Sequence, residues 1–557
     1  TSARILLAVH NNSTLGTNAI YTAILGSPAL QGVFRSDNGG ETWTALGVPA
    51  QEIFHGIQFF IHGALVAHLT DPHVVFVSGD RQDLPNPNGC SAFTGNTFRG
   101  DASLLPGNPW TSVDCNGAHG TSPHADARAM VFDANGDLLR ADDGGIYRLV
   151  DPNDEAGMRQ WVSVNGDIRP TEFHSVAYDP LSKIVFGGTQ DTGTPIQSAP
   201  GSFTWTELLQ GDGGQVAVDS DQTAHPGTTI RYTSFQQFGF FNRTTWDAAN
   251  TLMSGPTPVQ LRITSGPGTG QTLSQFDRTI GFYQPFVLNA IDPSRMLIGT
   301  TFLYESLDRG DSLANLGDTG FSINLFQSGS PMAYGGRLNG VPNPDVFYVR
   351  SGPLILHRVT LGGPIMTLST PDPGSAAVRG LVIDPQNYQT IYVVDVRDQP
   401  PRSSRVWASF DEGVSWMNLT ANLPSLSNSL DSIRAIEVIS PDGTAEHTVL
   451  IVGGLDGVFQ MRGPGSAGAS WTVLSSGLPH GLVLDLHYNA TNNVLVAGLL
   501  GRGAWTLTGF FQGTGTSVVA WQGARSYPRE AAVGGFDLDP PVMPPEPVPA
   551  RVDLSHK

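Results

Sequence analysis

Apolar residues in this chain come in short runs, and the runs come in pairs. In SVAYDPLSKIVFGG, FVLNAIDPSRMLIGT, LVIDPQNYQTIYVV and LDLHYNATNNVLVAG an apolar run meets a polar turn, and a second apolar run follows it. Short apolar runs bounded by turn residues are strands. No long stretch repeats its apolar positions at helical spacing, so little helix is expected. The turns fall near residues 12, 71, 134, 180, 221, 293, 343, 385, 441 and 490. That makes ten units, about 50 residues apart, the length of chain one four-stranded propeller blade uses. A blade buries both faces against its neighbours, so an array of blades must close or leave an apolar face in water. The expected fold is all-β: one large β-propeller of about ten four-stranded blades, with two smaller propellers as the alternative. ARILLAVH suits the edge of the last blade beside GAWTLTGF, where it would close the ring. Residues 1–515 form the propeller in this reading, with loop insertions near 80–120 and 225–282. Residues 516–557 are an extension, and the Pro-rich tail from about 537 lies outside the ring as an extended segment or linker.

One polar turn repeats within this pattern. SDNGGETW runs from Ser36 to Trp43, SFDEGVSW from Ser409 to Trp416, and a worn copy, SLDRGDSL, from Ser306 to Leu313. In Ser-x-Asp-x-Gly-x-x-Trp the carboxylate accepts backbone N–H groups inside the turn. The glycine supplies a positive φ, and the tryptophan starts the next strand and packs between sheets. The pattern resembles the Asp-box, or BNR repeat. It is carried by Ser36, Asp37, Gly40 and Trp43, by Ser306, Asp308 and Gly310, and by Ser409, Asp411, Gly413 and Trp416. In the first copy Asn38 holds the usual Asp position, and Asp37 sits one residue early. GGTQDTGT, GDGGQVAVD, RADDGGIYRL and GRGAW resemble landmarks of the large Asp-box superfamily. That group includes sortilin-like (VPS10) ten-bladed propellers and the family 74 glycoside hydrolases, xyloglucanases with two seven-bladed propellers. The resemblance covers roughly residues 1–510 and implies a propeller whose Asp-boxes lie on the outer rim, away from any active site. The chain is short for seven plus seven blades, which favours one ring.

The chain has 557 residues, with Gly 66, Pro 40 and only 14% charged residues, a composition suited to many short strands and tight turns. Its formal charge of −19 argues against a nucleic-acid partner. The longest uncharged run, Ile53–Leu69, holds His55, His62 and His68 and is too short and polar to span a membrane. Cys90 and Cys115 bracket one Gly/Pro/Asn-rich insertion and favour a single loop-closing disulfide, hence an oxidising compartment. The expected location is secreted, periplasmic or cell-surface, with membrane association only through a partner.

For chemistry, the family 74 resemblance implies two carboxylates across a cleft, an acid and a base, with inversion. RADDGGIYRL partly matches the stretch that holds the first, which makes Asp142 or Asp143 the candidate. Asp191 in GGTQDTGT and Asp212 in GDGG follow apolar strands and are flanked by glycines that let a ligand approach. Asp456 in GGLDGVF reads as structural. His119, His124 and Asp126 have the residue types of a metal site, but their spacing is better suited to hydrogen bonding inside the insertion. No metal or other cofactor is expected. Trp110 and Trp246 sit in the insertions and are the candidates for stacking on a ligand. The sequence therefore supports an extracellular propeller that binds a protein or polysaccharide partner, with a paired-carboxylate glycoside hydrolase as the alternative.

Overall fold

The computed structural model describes residues 2–26, 30–54, 58–82, 88–90, 94–153, 158–209, 211–323, 330–372, 374–397, 402–474, 476–511 and 521–524. Their regular structure is nearly all strand; one short α-helix, Leu273–Phe276, stands among them. The strands form ten four-stranded antiparallel sets: Ser2–Gly47, Ala64–Ser112, Ala129–Ser163, Phe173–Glu207, Ala217–Pro258, Phe286–Asp318, Met332–Leu368, Ala377–Asn418, Ala435–Val473 and Leu482–Ala524. The seventh and eighth are stitched into one larger sheet where Leu338 pairs with Asn387. The ten expected turns fall at, or within three residues of, the connection between first and second strands.

The second strands explain the runs read in the sequence. Ile184–Thr189, Met296–Gly299 and Val449–Gly454 are buried at every position. A strand inside a sheet covered on both faces loses its polar alternation. The glycines that end these runs let a neighbouring sheet approach. A Cβ on Gly498 would meet Val176 Cγ1 at 2.8 Å.

The chain forms two compact units. One comprises Thr1–Arg140 and Tyr147–Ser163; the other comprises Ala141–Ile146 and the chain from Val164 to Pro528. The first holds three sheets, apart from the hairpin turn at 141–146. Apolar clusters join its first sheet to its second, through Tyr21, Phe54 and Trp110, and its second to its third, through Phe76, Leu138 and Trp161.

The second unit holds seven sheets, the fourth to the tenth, and closes on itself. Each successive pair shares an apolar cluster, and a further cluster of Phe173, Val176, Val185, Val494, Val496 and Ala504 joins the tenth sheet back to the fourth. Polar stitches run the same way. Asp485 accepts from Val176 N at 2.9 Å, Ser175 from Val216 N at 3.2 Å, Gln215 from Phe286 N at 2.9 Å and Glu437 from Tyr488 N at 3.0 Å.

Three sequence expectations need correction. The strand Gly503–Thr508 pairs with Val494–Leu500 and Gln522–Ala524, while ARILLAVH pairs with Thr17–Gly26, so the closure imagined between ARILLAVH and GAWTLTGF is not made. Seven sheets suffice to close a ring, because Phe173–Asp179 fits the last sheet. The extension does not begin at 516: Gln522–Ala524 is the fourth strand of the tenth sheet, and Trp521 is buried with its Nε1 donating to Leu474 O. The tail from 537 lies outside the described residues. Finally, 225–282 is not one loop but holds regular sheet. Thr228–Thr233, Asn242–Asp247 and Leu252–Pro258 are three strands of the fifth sheet, and the true addition is Arg262–Ser265, paired in parallel with Ser312–Asp318, plus the helix. Gly, Ser and Thr there mark an exposed edge strand, since Leu252–Pro258 is exposed throughout. In 80–120, Gly95–Asp101 and Trp110–Ser112 are also sheet strands. The Cys90–Cys115 disulfide joins loops beside them, with Cα atoms 5.4 Å apart.

The three repeated turns share one hydrogen-bond pattern. Ser306 and Ser409 accept from Gly310 N at 2.8 Å and Gly413 N at 2.7 Å, and Asp308 and Asp411 each accept from the backbone N of Ser312 and Ser415 at 2.8 Å. In the first copy Asn38, not Asp37, takes this part, accepting from Thr42 N at 2.9 Å. Asp37 instead pairs with Arg35 at 2.6 Å. The residues at the Trp position differ: Leu313 is fully buried, Trp416 packs partly against a core cluster, and Trp43 is 42% exposed.

Candidate functional site

Three loops of the fourth and fifth sheets interlock at one end of the second unit. Gly213 N donates to Thr189 O at 2.9 Å, Gly214 N to Ser234 O at 2.7 Å and Gln236 N to Asp212 O at 2.8 Å. The glycines make this possible. Gly193 has φ +65°, and a Cβ on Gly213 would lie 2.1 Å from Gly193 O. Asp191, next to this turn, is itself left-handed at φ 59°, a conformation that costs a non-glycine residue free energy and is held by its surroundings.

The interlock brings the sequence candidates Asp191 and Asp212 together. Gln190 Nε2 donates to Asp191 Oδ1 at 2.9 Å and to Asp212 Oδ1 at 2.6 Å, and Asp191 N donates to Asp212 Oδ1 at 3.0 Å. The Tyr283 hydroxyl donates to Gln190 Oε1. Burial, then the negative charge of Asp212, Asp191 and Glu172, pushes the Tyr283 phenol far above its usual range, so it remains a donor. His174 stacks on Tyr283, with centroids 3.6 Å apart, and its Nε2 lies 2.6 Å from Gly213 O. Burial pushes the His174 imidazole down to about 3, so it is neutral and donates from Nε2. Gln190, Asp191 and Asp212 are half-buried, and Phe282 beside Tyr283 is 37% exposed. The cluster therefore reaches solvent in part, beside the stacked rings of His174 and Tyr283.

A cavity of about 440 Å³ opens nearby, lined by Asp167, Arg169, Pro479, Arg502 and Trp505 among others. It sits where the fourth and tenth sheets meet. The Arg169 guanidinium lies 4.3 Å from the Trp505 ring centroid, a cation–π contact. Gly503 N donates to Thr171 O at 2.9 Å, and Gln190 N donates to Glu172 O at 3.0 Å. The segment from Asp167 to Glu172 thus connects cavity and carboxylate cluster in one strip of loops.

The other candidates lie elsewhere. Asp142 is 9% exposed and Asp143 half-buried in the turn after Leu138–Asp142; Asp142 Oδ1 accepts from Gly144 N at 3.0 Å. Asp456 binds Ser427 Oγ and Ser429 N, both at 2.8 Å. Trp110 and Trp246 are 6% and 8% exposed and offer no face to a ligand. Trp110 donates to Leu46 O at 3.0 Å, and Trp246 stacks under Arg231 at 4.5 Å. The sequence places both in insertions, but both belong to sheet strands. His119 has left-handed backbone at φ 54°, and His124 Nδ1 lies 3.4 Å from Ala125 O. Asp126 is instead drawn to His62, whose Nδ1 lies 3.0 Å from it and 2.8 Å from Asp80. Burial opposes charge on His62, but the two carboxylates outweigh it and push the imidazole up to about 9. His55 lies outside the described residues. Gln190, Tyr283 and the cavity were not found from sequence; the QD pair between glycines in GGTQDTGT was the available signal.

No family model matches the chain, and no curated protein matches it. Its fold is similar to that of the GH74 enzyme of Niastella koreensis, with a TM-score of 0.50 and 16% identity over 89% of this chain and 66% of that one. Weaker likenesses link it to the extracellular domain of a putative one-component system from B. thetaiotaomicron (TM-score 0.35, 10% identity, 88% and 62% covered) and to Saccharomyces cerevisiae Sqt1 (0.29, 12%, 71% and 93%). The chain thus spans just under two thirds of the length of the first two. The fold is a β-propeller. Among the described residues no helix is long and apolar enough to cross a membrane.

Proposed function

We propose that this chain is an extracellular glycan-binding propeller module whose ligand lies along the loop strip of the second unit. The observation that carries this reading is the convergence of Asp191, Asp212 and Gln190 beside the Trp505 cavity. Carboxylates accept from sugar hydroxyls, the amide of Gln190 both donates and accepts, and an aromatic wall suits the apolar face of a pyranose. The three matching Ser-x-Asp/Asn-x-Gly turns are in keeping with an Asp-box propeller, and the disulfide with an oxidising compartment. The test is affinity electrophoresis through gels holding single polysaccharides, xyloglucan included. Retardation by at least one glycan, reduced in Asp191→Asn and Asp212→Asn, is expected. Migration unchanged by every glycan overturns the reading.

A hydrolase is the second reading, favoured by the likeness to a GH74 enzyme. Asp191 and Asp212 fit its inverting pair poorly. Both Oδ1 atoms accept from one nitrogen, at 2.9 and 2.6 Å, so they lie closer than the ~6.5–9.5 Å that leaves room for a water. New reducing ends that vanish in Asp142→Ala/Asp143→Ala would establish hydrolysis and displace simple binding.

A further inference from the structure

The loop joining Thr228–Thr233 to Asn242–Asp247 reads SFQQFGFF, four phenylalanines in eight residues. Three of its residues stand in the left-handed backbone region: Gln237 at φ 56°, Phe238 at 57° and Phe240 at 47°. That region is rare for a bulky side chain and persists only where the surroundings fix it. Hydrogen bonds fix it here. Phe235 N donates to Gly239 O at 2.7 Å, Gln236 N to Asp212 O at 2.8 Å and Gln237 N to Phe282 O at 2.8 Å. The last two tie the loop to the segments that carry the Asp212 carboxylate and Tyr283.

A cavity of about 220 Å³ opens against this loop. Phe238, Phe240, Phe241, Val259, Leu261 and Leu273 are among the residues lining it. Phe240 is 43% exposed, and the other five are buried. Gln237, Gln260 and Ser274 also line it and are exposed. The cavity thus has an apolar floor, one exposed aromatic wall and a polar rim, the usual make-up of a small-ligand site. Its size restricts what enters. A cavity of ~150 Å³ with apolar walls holds a benzene ring. The larger space here takes one six-membered ring with a short substituent. A bare sugar ring would leave hydroxyls unpaired against this floor. An aromatic ring leaves none, and it gains ring-to-ring contact that an aliphatic chain forgoes.

We infer that this cavity is a subsite for an aromatic ring, and that the ligand is a polysaccharide carrying aromatic acyl esters. This deepens the glycan reading and rests on it. The Gln236–Asp212 bond joins the cavity's loop to the carboxylate cluster, so one ligand spans both, with its sugar at Asp191 and Asp212 and its ester-linked ring in the cavity.

The test titrates the full chain with methyl ferulate, followed by saturation-transfer NMR. Methyl hexanoate is the aliphatic control and N-acetylphenylalaninamide the peptide control. Affinity gels of feruloylated arabinoxylan, and of the same polymer after saponification, give the second readout. Expected is saturable binding of methyl ferulate, about tenfold tighter than of either control, and stronger retardation by the feruloylated gel. Ser274→Trp fills the cavity from its rim and should abolish methyl ferulate binding. Phe240→Ala removes the exposed wall and should weaken it about tenfold. Both side chains are exposed, so neither change opens the core. No saturable binding of methyl ferulate, binding unchanged in both variants, equal binding of either control, or equal retardation by the two gels overturns the inference. If glycans retard the chain through Asp191 and Asp212 but methyl ferulate does not bind, the aromatic ligand falls and the glycan reading stands. If methyl ferulate binds but no glycan retards the chain, the glycan reading falls and takes the acylated polysaccharide with it.

Discussion

The two ends of the fourth and fifth sheets handle aspartate in opposite ways. At one end Asp179, the last residue of the strand Phe173–Asp179, is fully buried and accepts from Thr229 Oγ1 at 2.5 Å and from Arg231 Nε and Nη2 at 2.9 and 2.7 Å. Arg231 also donates to Ser182 Oγ at 2.8 Å and stacks on Trp246. At the other end Asp191 and Asp212 are half-buried, and their side chains meet an amide. A carboxylate matched to a guanidinium in a sealed core is a brace. A pair of carboxylates bridged by a neutral amide and partly open to solvent can accept from something in solution as well. Local sequence does not separate the two, since Asp179 and Asp212 both stand next to small or Pro residues; the partner across the sheet does.

The largest effect expected from this contrast is at the sealed end. Asp179→Ala leaves Arg231 buried without its carboxylate and should cost ~3–5 kcal/mol, the usual scale for breaking one side of a buried pair. Denaturant unfolding followed by hydrogen exchange in Thr228–Thr233 would read it; a loss below ~1 kcal/mol would mean that water reaches the pair.

A second brace, in the first unit, can be broken by pH. His62 is raised above its ordinary 6.5 to about 9 by Asp126 and Asp80 against the opposing effect of burial. A folded pKa above the unfolded one gives stability that is complete below pH 6.5 and is lost as pH rises through about 9. Between pH 6.5 and 10 the exchange protection of Val74–Arg81 should fall by roughly 1–3 kcal/mol. The drop should vanish in His62→Gln, and a pH profile identical in that variant would assign the loss to other groups.

A smaller effect tests the turns. Asn38 donates from Nδ2 to Thr42 Oγ1 at 2.9 Å, where Asp308 and Asp411 accept from a serine hydroxyl at 2.6 Å. Asn38→Asp converts this into a charge-assisted bond and should stabilise the first sheet by ~0.5 kcal/mol. Thermal melts showing destabilisation would mean that repulsion from Asp37 outweighs the bond.

The sheet count and turn positions were legible because each depends on local chemistry: a polar turn between two apolar runs. The three Ser-x-Asp/Asn-x-Gly turns were legible for the same reason, apart from the choice between Asp37 and Asn38. Ring closure was not. It depends on Phe173 and Val176 meeting Gly498 and Val496, a contact between residues more than 300 positions apart that no local pattern marks. Trp110 and Trp246 misled because Gly and Thr around them suggested loops, while pairing across the sheet made them core. Asp191 and Asp212 were individually visible from their glycines. Their joining through Gln190 and Tyr283 was not, because Tyr283 is 93 residues from Gln190.

The smallest stability change, and the sharpest contrast with Asp179, belongs to Asp212→Asn. The asparagine keeps Oδ1, so the bonds from Gln190 Nε2 and Asp191 N can persist. The change removes one of two neighbouring negative charges, which relieves repulsion while weakening a charge-assisted bond, and these oppose each other. Folding stability should therefore move by no more than ~0.5 kcal/mol, as for ordinary surface changes. Glycan retardation should still fall, because the lost charge faces solvent and not the core. A folding loss on the scale of Asp179→Ala would instead make this end a second brace, and the two ends of the sheets would then differ in exposure but not in role.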